Sequence, residues 1–294
     1  MILVTGATGS IGRPLVRRLQ EKGVAFKALV RDAAKGRALG CDVVVGDFDD
    51  PGSLVPALEG VDRLFLNGAG AQPVDGEQPM VRQQKTAIDA ARKSGVERVV
   101  KVSVWHAREG GRLAEGAHWE IEQHLKASGL GWSILQPSGF MQNFLTGAGS
   151  FTAGGNLVGS YADAPVSYID CEDIAACAAT LLTGPYGNGE TFVLTGPEAL
   201  TQEQIAEKLS AVLGRTVRYV DLPPDELAAT LKSQGLPSSF AEDVAALLKD
   251  AASGSLAATT SAVQDLTGRP ARTFDDFLTA NHQALQALLP SPLH

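Results

Sequence analysis

Short apolar runs and longer amphipathic ones alternate through the first half of the chain. Ile2-Leu3-Val4 opens it, and further apolar runs fall at 24–30, 42–45, 63–67, 98–103 and 132–136. Between them the spacing of apolar positions turns helical, near 10–22, Pro51–Leu58, 78–94 and 117–127. Runs apolar on both faces suit strands covered from both sides, the condition of a parallel sheet. Strand–helix alternation of this regularity predicts an α/β fold built on a doubly wound parallel sheet, which holds ligands at the carboxyl ends of its strands.

Beyond residue 140 the pattern loosens. Glycines cluster over 147–159, read as a mobile loop over the site. Strands are expected at 166–169 and Glu190–Leu194, and helices at 173–182 and 201–213. Thr201 three residues before Gln204 opens the last of these as a capping box. Residues 221–252 read as helical, and 270–289 as a last helix. The division expected is 1–140 for a nucleotide-binding domain and 141–294 for a smaller C-terminal α/β substrate lobe that does not fold alone.

The first strand runs directly into Gly6-x-x-Gly9-x-x-Gly12. Gly6 permits a tight turn, Gly9 lets backbone approach a pyrophosphate, and Gly12 lets the next helix pack closely. That helix offers its N-terminal N–H groups and dipole to phosphates. Strand, loop and helix in this order make a Rossmann-type dinucleotide site the expectation. The second strand ends at Arg31, with Lys35 on the following turn. A guanidinium there matches a 2′-phosphate, and Asp32 reads as a helix cap, so NADPH is expected, with NADH as the alternative. Asp47 and Phe48 follow the third strand and suit an adenine amino group and ring. Asn67, Gly68, Ala69 and Gly70 follow the fourth, small enough for a cofactor to pass.

Composition narrows the partners. In 294 residues the net charge is −8, with no long basic run, which argues against nucleic acid. Three scattered cysteines make neither a disulfide framework nor a zinc site, and His106, His118 and His124 lack metal-ligand spacing. No apolar stretch approaches the roughly 20 residues that cross a bilayer. A strand beginning at residue 2 leaves a secretory signal no room. The expectation is a cytoplasmic protein with no membrane and no metal, acting on a small molecule; a homodimer is left open.

With these residues in hand, the chain resembles the NmrA-like branch of the atypical short-chain dehydrogenase/reductases. VTGATGSIG at 4–12, ALVRD at 28–32, GDFDDPGSL at 46–54, AIDAARKSGVERVVKVS at 87–103, HWEIEQHLKASGLGWSILQPSGFMQNF at 118–144, SYIDCEDIA at 167–175 and FVLTGPEALTQEQIA at 192–206 carry the resemblance together. Within the branch it looks most like bacterial NAD(P)H-dependent reductases of quinones, triphenylmethane dyes and azo dyes. The resemblance implies dinucleotide contacts from Thr8, Gly9, Ser10, Ile11, Gly12, Arg31, Asp47, Phe48, Asn67, Gly68 and Ala69. It implies that Pro137, Ser138, Gly139 and Phe140 pass the nicotinamide, with Asn143 towards the substrate. Ser103 stands where the superfamily has its serine. The superfamily's Tyr-x-x-x-Lys is replaced by His118-x-x-x-Glu122, and Gln136 stands where relatives have an arginine.

Hydride transfer needs positioning more than acid–base power, and a quinone, an azo or triphenylmethane dye, or a related imine or enone already offers an electrophilic centre. His118 is the candidate proton donor, beside a structural reading in which it bonds Glu122 one turn on. Trp105 and His106, after Ser103, are candidate pocket residues. Phe140, Met141, Phe144 and Phe151 are a candidate apolar wall for flat acceptors, with core packing the alternative for each. The function expected is an NADPH-dependent oxidoreductase of conjugated, aromatic acceptors. The alternatives are an NADP(H)-binding redox sensor without turnover, or a reductase of one biosynthetic metabolite.

Overall fold

A computed structural model describes residues 1–146, 151–152 and 154–288. The first half runs β1 (Ile2–Val4), α1 (Gly12–Glu21), β2 (Phe26–Val30), α2 (Ala33–Arg37), β3 (Val43–Val45), α3 (Pro51–Leu58), β4 (Arg63–Leu66), α4 (Pro79–Lys93), β5 (Arg98–Val102), α5 (Ala114–Ala127) and β6 (Gly131–Pro137). These elements fall within a few residues of the positions their patterning predicts. The caps explain several boundaries. Asp50 accepts the Gly52 N–H at 3.1 Å ahead of α3, and Pro51, with no N–H to leave unpaired, takes the first helical position.

The second half continues with α6 (Asn143–Thr146), β7 (Leu157–Gly159), α7 (Cys171–Thr183), β8 (Glu190–Leu194), α8 (Gln202–Leu213), β9 (Tyr219–Asp221), α9 (Pro224–Ser233), α10 (Ser238–Asp250), α11 (Ala262–Thr267), α12 (Phe274–Ala280) and α13 (His282–Leu288). Seven strands form one sheet in the order β3-β2-β1-β4-β5-β6-β8, every neighbouring pair parallel. The fold is thus α/β and Rossmann-like. Between β1 and β4 the strand order changes direction, and the crevice outside their carboxyl ends is where such sheets bind ligands.

One core packs α1, α7 and α11 on one face of the sheet; the other packs α3, α4 and α5 on the opposite face. β8 and α7 therefore complete the sheet layers, although they lie in the half read as a separate lobe. A third core, built from Phe144, Leu157, Tyr168, Ile205, Phe274 and Phe277 among others, belongs to the C-terminal lobe proper.

Several second-half expectations are corrected. Residues 166–169 form no strand: Val166 bridges Leu200 and Ile169 bridges Phe140, single contacts with two different partners. The helical reading of 221–252 divides because Asp221 ends β9, which pairs in parallel with β7, and because Gly235 at φ +88° and Pro237 break the helix. The last helix expected over 270–289 is two short ones, α12 and α13. Within the glycine-rich 147–159 stretch, β7 is ordered strand; 147–150 and 153 lie outside the described residues. The capping box of Thr201 and Gln204 is formed.

Candidate active site

The glycine turn is dictated by close approach. Gly6 holds φ +62°, and a Cβ on it would stand 3.0 Å from the Asn67 carbonyl oxygen. A Cβ on Gly12 would stand 2.1 Å from the Gly6 carbonyl oxygen, so the loop folds back onto its own helix only with glycine there. Gly9 meets only the Gly6 oxygen, at 3.3 Å, and leaves the outer face of the loop bare. Thr5, which the sequence reading passed over, locks this turn to the end of β4. Its hydroxyl accepts the Asn67 N–H at 2.9 Å and lies 2.8 Å from the Asn67 carbonyl and 2.9 Å from that of Phe65.

The turn forms one wall of a cavity of about 730 Å³ at the crossover between β1 and β4. Gly6, Thr8, Gly9, Ser10 and Ile11 line its centre; Arg31, Lys35, Asp47 and Phe48 line one end, and Asn67, Gly68, Ala69 and Phe140 the rest. Thr5, Ala7, Val30 and Asp32 also line it, as do Leu29, Gly46, Gln72 and Gln83, four residues no local signal marked. Arg31 and Lys35 are exposed and form no ion pair among the described residues. Asp32 caps α2 by accepting the Ala34 N–H at 2.8 Å. Asp49 is held below the usual carboxylate range by hydrogen bonds from Gln83 and Arg82, with the charges of Arg82 and Arg31 adding to them.

Deeper in the sheet, β5 and α5 enclose a polar network. Lys101, fully buried, donates to the Val102 carbonyl at 3.0 Å and lies 2.7 Å from His118 Nδ1. The Ser103 hydroxyl donates to Glu122 Oε1, which also receives Gln136 Nε2 at 2.9 Å; Lys126 stands 3.4 Å from Oε2. Burial pushes Lys101 down to about 7, against the attraction of Glu122. Burial and the neighbouring Lys101 charge hold His118 well below the ordinary histidine value. His118 is therefore a neutral imidazole near neutrality, and its partner is Lys101 on β5 rather than Glu122 one turn on along α5. Lys101 was missed because it sits inside a strand pattern, where one polar residue reads as a solvent face. The signal was its place at the centre of the sheet, where lysine is almost never fully buried unless paired.

The other expected residues divide. Gly12, Ser103, Trp105, His106, His118, Pro137, Ser138 and Gly139 do not line the cavity. Ser138 is buried with no partner for its hydroxyl among the described residues. Met141 and Phe144 are not a wall of the site: they are 1% and 3% exposed, and Phe144 packs edge-on against Tyr168 and Phe274 in the lobe core. Phe151 also packs against that core, and Asn143 is exposed. Trp105 stacks on His106 at 4.7 Å; His106, at φ +64°, reaches the Ser255 carbonyl at 3.0 Å and ties this loop to the π-helical turn Ala251–Ser255. Among the described residues no group of side chains is arranged to hold a metal, and no helix is long and apolar enough to cross a membrane.

Sheet order, glycine turn and crossover cavity together define a dinucleotide-binding α/β protein. Residues 1–264 match the model of the NmrA-like family, and the chain belongs to that family. It is 38% identical to an NAD(P)H azoreductase of Xenophilus azovorans, over 98% of this chain and all of the relative. It is 34% identical to a (4-alkanoyl-5-oxo-2,5-dihydrofuran-3-yl)methyl phosphate reductase of Streptomyces griseus, over 97% and 99%. Among solved structures, an NADPH-dependent quinone oxidoreductase of Escherichia coli complexed with NADPH superposes with a TM-score of 0.82 at 30% identity, covering 95% of this chain and 99% of that one.

Proposed function

We propose that the chain is an NADPH-dependent reductase of a conjugated, electron-poor small molecule: a quinone, an azo compound or an enone. The observation that carries this is the crossover cavity, with exposed cations at one end and Phe140 at the other. Its donors fit the cofactor. Arg31 and Lys35 offer unpaired positive charge to a 2′-phosphate, Phe48 an aromatic face to adenine, and the bare Gly9 turn with the α1 N-terminus takes the pyrophosphate. The Asp32 carboxylate is engaged by Ala34, which favours NADPH over NADH.

Bound there, the dihydronicotinamide supplies a hydride. The chain's own part is to hold the acceptor flat beside Phe140, limit water, and let one proton reach the reduced product. The relatives support the acceptor class: azo compounds, quinones and an alkanoyl-dihydrofuranone each place an electrophilic centre in conjugation. The test is NADPH consumption at 340 nm against one member of each class. Saturable, acceptor-dependent oxidation is expected. Tight NADPH binding without turnover on any acceptor would replace this reading with that of a redox sensor.

A further inference from the structure

Reduction by hydride leaves the acceptor one proton short, and the cavity residues include no free acid placed to provide it. Among the described residues Lys101 is the one ammonium sealed inside the sheet, and nothing about packing explains it. Its register partners on β4 and β6 are the apolar Leu66 and Ile134. The titratable groups facing it all come from α5: His118 in contact, Glu122 and Lys126 farther off. The charged groups of α4 nearest to that helix are engaged elsewhere, Lys85 with Glu120 and Asp89 with His124. α5 connects two parallel strands, so it runs back against them, and its first turns, with His118, lie at the carboxyl ends where the ligand crevice is. His118 Nδ1 points to Lys101, and Nε2 has no partner among the described residues.

We infer that Lys101 is a positioning residue that keeps the His118 proton on Nε2 and reloads it after each turnover, so that His118 Nε2 is the proton donor to the reduced acceptor. This rests on the reductase reading. In the step, the Nε2–H bond breaks as an O–H or N–H bond forms on the acceptor anion. A Nζ–H bond of Lys101 breaks as Nδ1–H forms. The imidazole is neutral before and after, with its proton moved from Nε2 to Nδ1; the ammonium becomes an amine, and solvent restores the starting state. Neither nitrogen of His118 needs to carry a full charge, which suits a ring whose burial opposes ionisation.

The device is active when Lys101 is charged, so kcat falls as pH rises through about 7, the value to which burial brings this lysine. Two measurements test it. The first needs no turnover: the ¹⁵N shifts of His118, assigned through His118→Gln. The Nδ1 shift is expected to move with a midpoint near pH 7, as the Lys101 ammonium that donates to it loses its proton, while Nε2 stays protonated and no imidazolium forms; Lys101→Met removes that movement. The second is the pH profile of kcat for the NADPH-supported reduction. Lys101→Met is expected to lower kcat by about 10²-fold, the lower range for a lost acid–base group, and to abolish the basic limb with KM for NADPH unchanged.

An imidazolium at His118, or a basic limb that survives in Lys101→Met, overturns the inference. A lysine that is merely structural would shift Tm and leave the pH profile of kcat where it was. If wild-type protein reduces nothing, the reductase reading fails and proton delivery fails with it. If wild type turns over and the Lys101→Met profile matches it, only the inference fails.

Discussion

Replacing Arg31 with alanine should separate the two nicotinamide cofactors. Arg31 stands exposed at the tip of β2 with no carboxylate partner among the described residues, so its removal leaves no buried charge behind and should not disturb the fold. A hydrogen bond to a charged group is worth about 1.5–3 kcal/mol. Exposure and salt screening favour the lower half of that range, about 1.5–2 kcal/mol, or roughly 10- to 30-fold in Kd for NADPH. NADH lacks the 2′-phosphate and should change by less than about twofold, since exposed substitutions are usually within 0.5 kcal/mol. The assay is fluorescence titration of both cofactors into wild-type and Arg31→Ala protein at low and high salt. The NADPH preference should shrink in the variant, and in wild type it should shrink as salt rises. Equal losses for both cofactors, or a preference indifferent to salt, would refute the 2′-phosphate assignment.

Gly12→Ala should abolish tight NADPH binding, and should lower Tm, because its Cβ would overlap the Gly6 carbonyl; calorimetry and the same titration check both effects. Glu122→Ala should cost about 3 kcal/mol in chemical denaturation, since it leaves Ser103 and Gln136 without their acceptor. Lys126→Ala, removing only a half-exposed partner, should cost under about 1 kcal/mol. Asp173 is pushed up to about 6, mainly by burial, so the folded state binds its proton more tightly than the unfolded chain does. That contribution is present at pH 4 and lost as pH rises through about 6; thermal melts of Asp173→Asn should lack this component between pH 4 and 7.

What the sequence made legible follows from what local physics records. The glycine turn was readable because its backbone demands name the residue: Gly6 for its positive φ and Gly12 for a carbonyl that any Cβ would strike. The first six strands of the sheet were readable because each carries a short apolar run, and the central ones, β1, β4 and β5, are buried on both faces as a covered parallel sheet requires. Arg31, Lys35, Asp47, Phe48 and Asn67 were found by their place at strand ends, and the structure gathers them around one cavity. The β7–β9 pair left no such trace. Two three-residue strands separated by some sixty positions are held by a partner, not by their own pattern.

Met141 and Phe144 illustrate a different limit. Apolar side chains near a site and apolar side chains in a core have the same composition, and only the packing of Phe274 and Tyr168 around Phe144 separates them. Lys101 is the converse case. A residue type that signals solvent sits at the centre of the sheet, and its meaning comes from His118, seventeen positions along and one helix away.

The central claim is that the crossover cavity holds NADPH and passes its hydride to an acceptor. Single-turnover oxidation of NADPH deuterated at C4 on one face or the other, with a quinone as acceptor, tests this most directly. Deuterium on one face alone should slow the loss of absorbance at 340 nm, because only one face of a nicotinamide held in a fixed orientation meets the acceptor. Oxidation slowed equally by both labels or by neither, or no oxidation at all, would contradict the account.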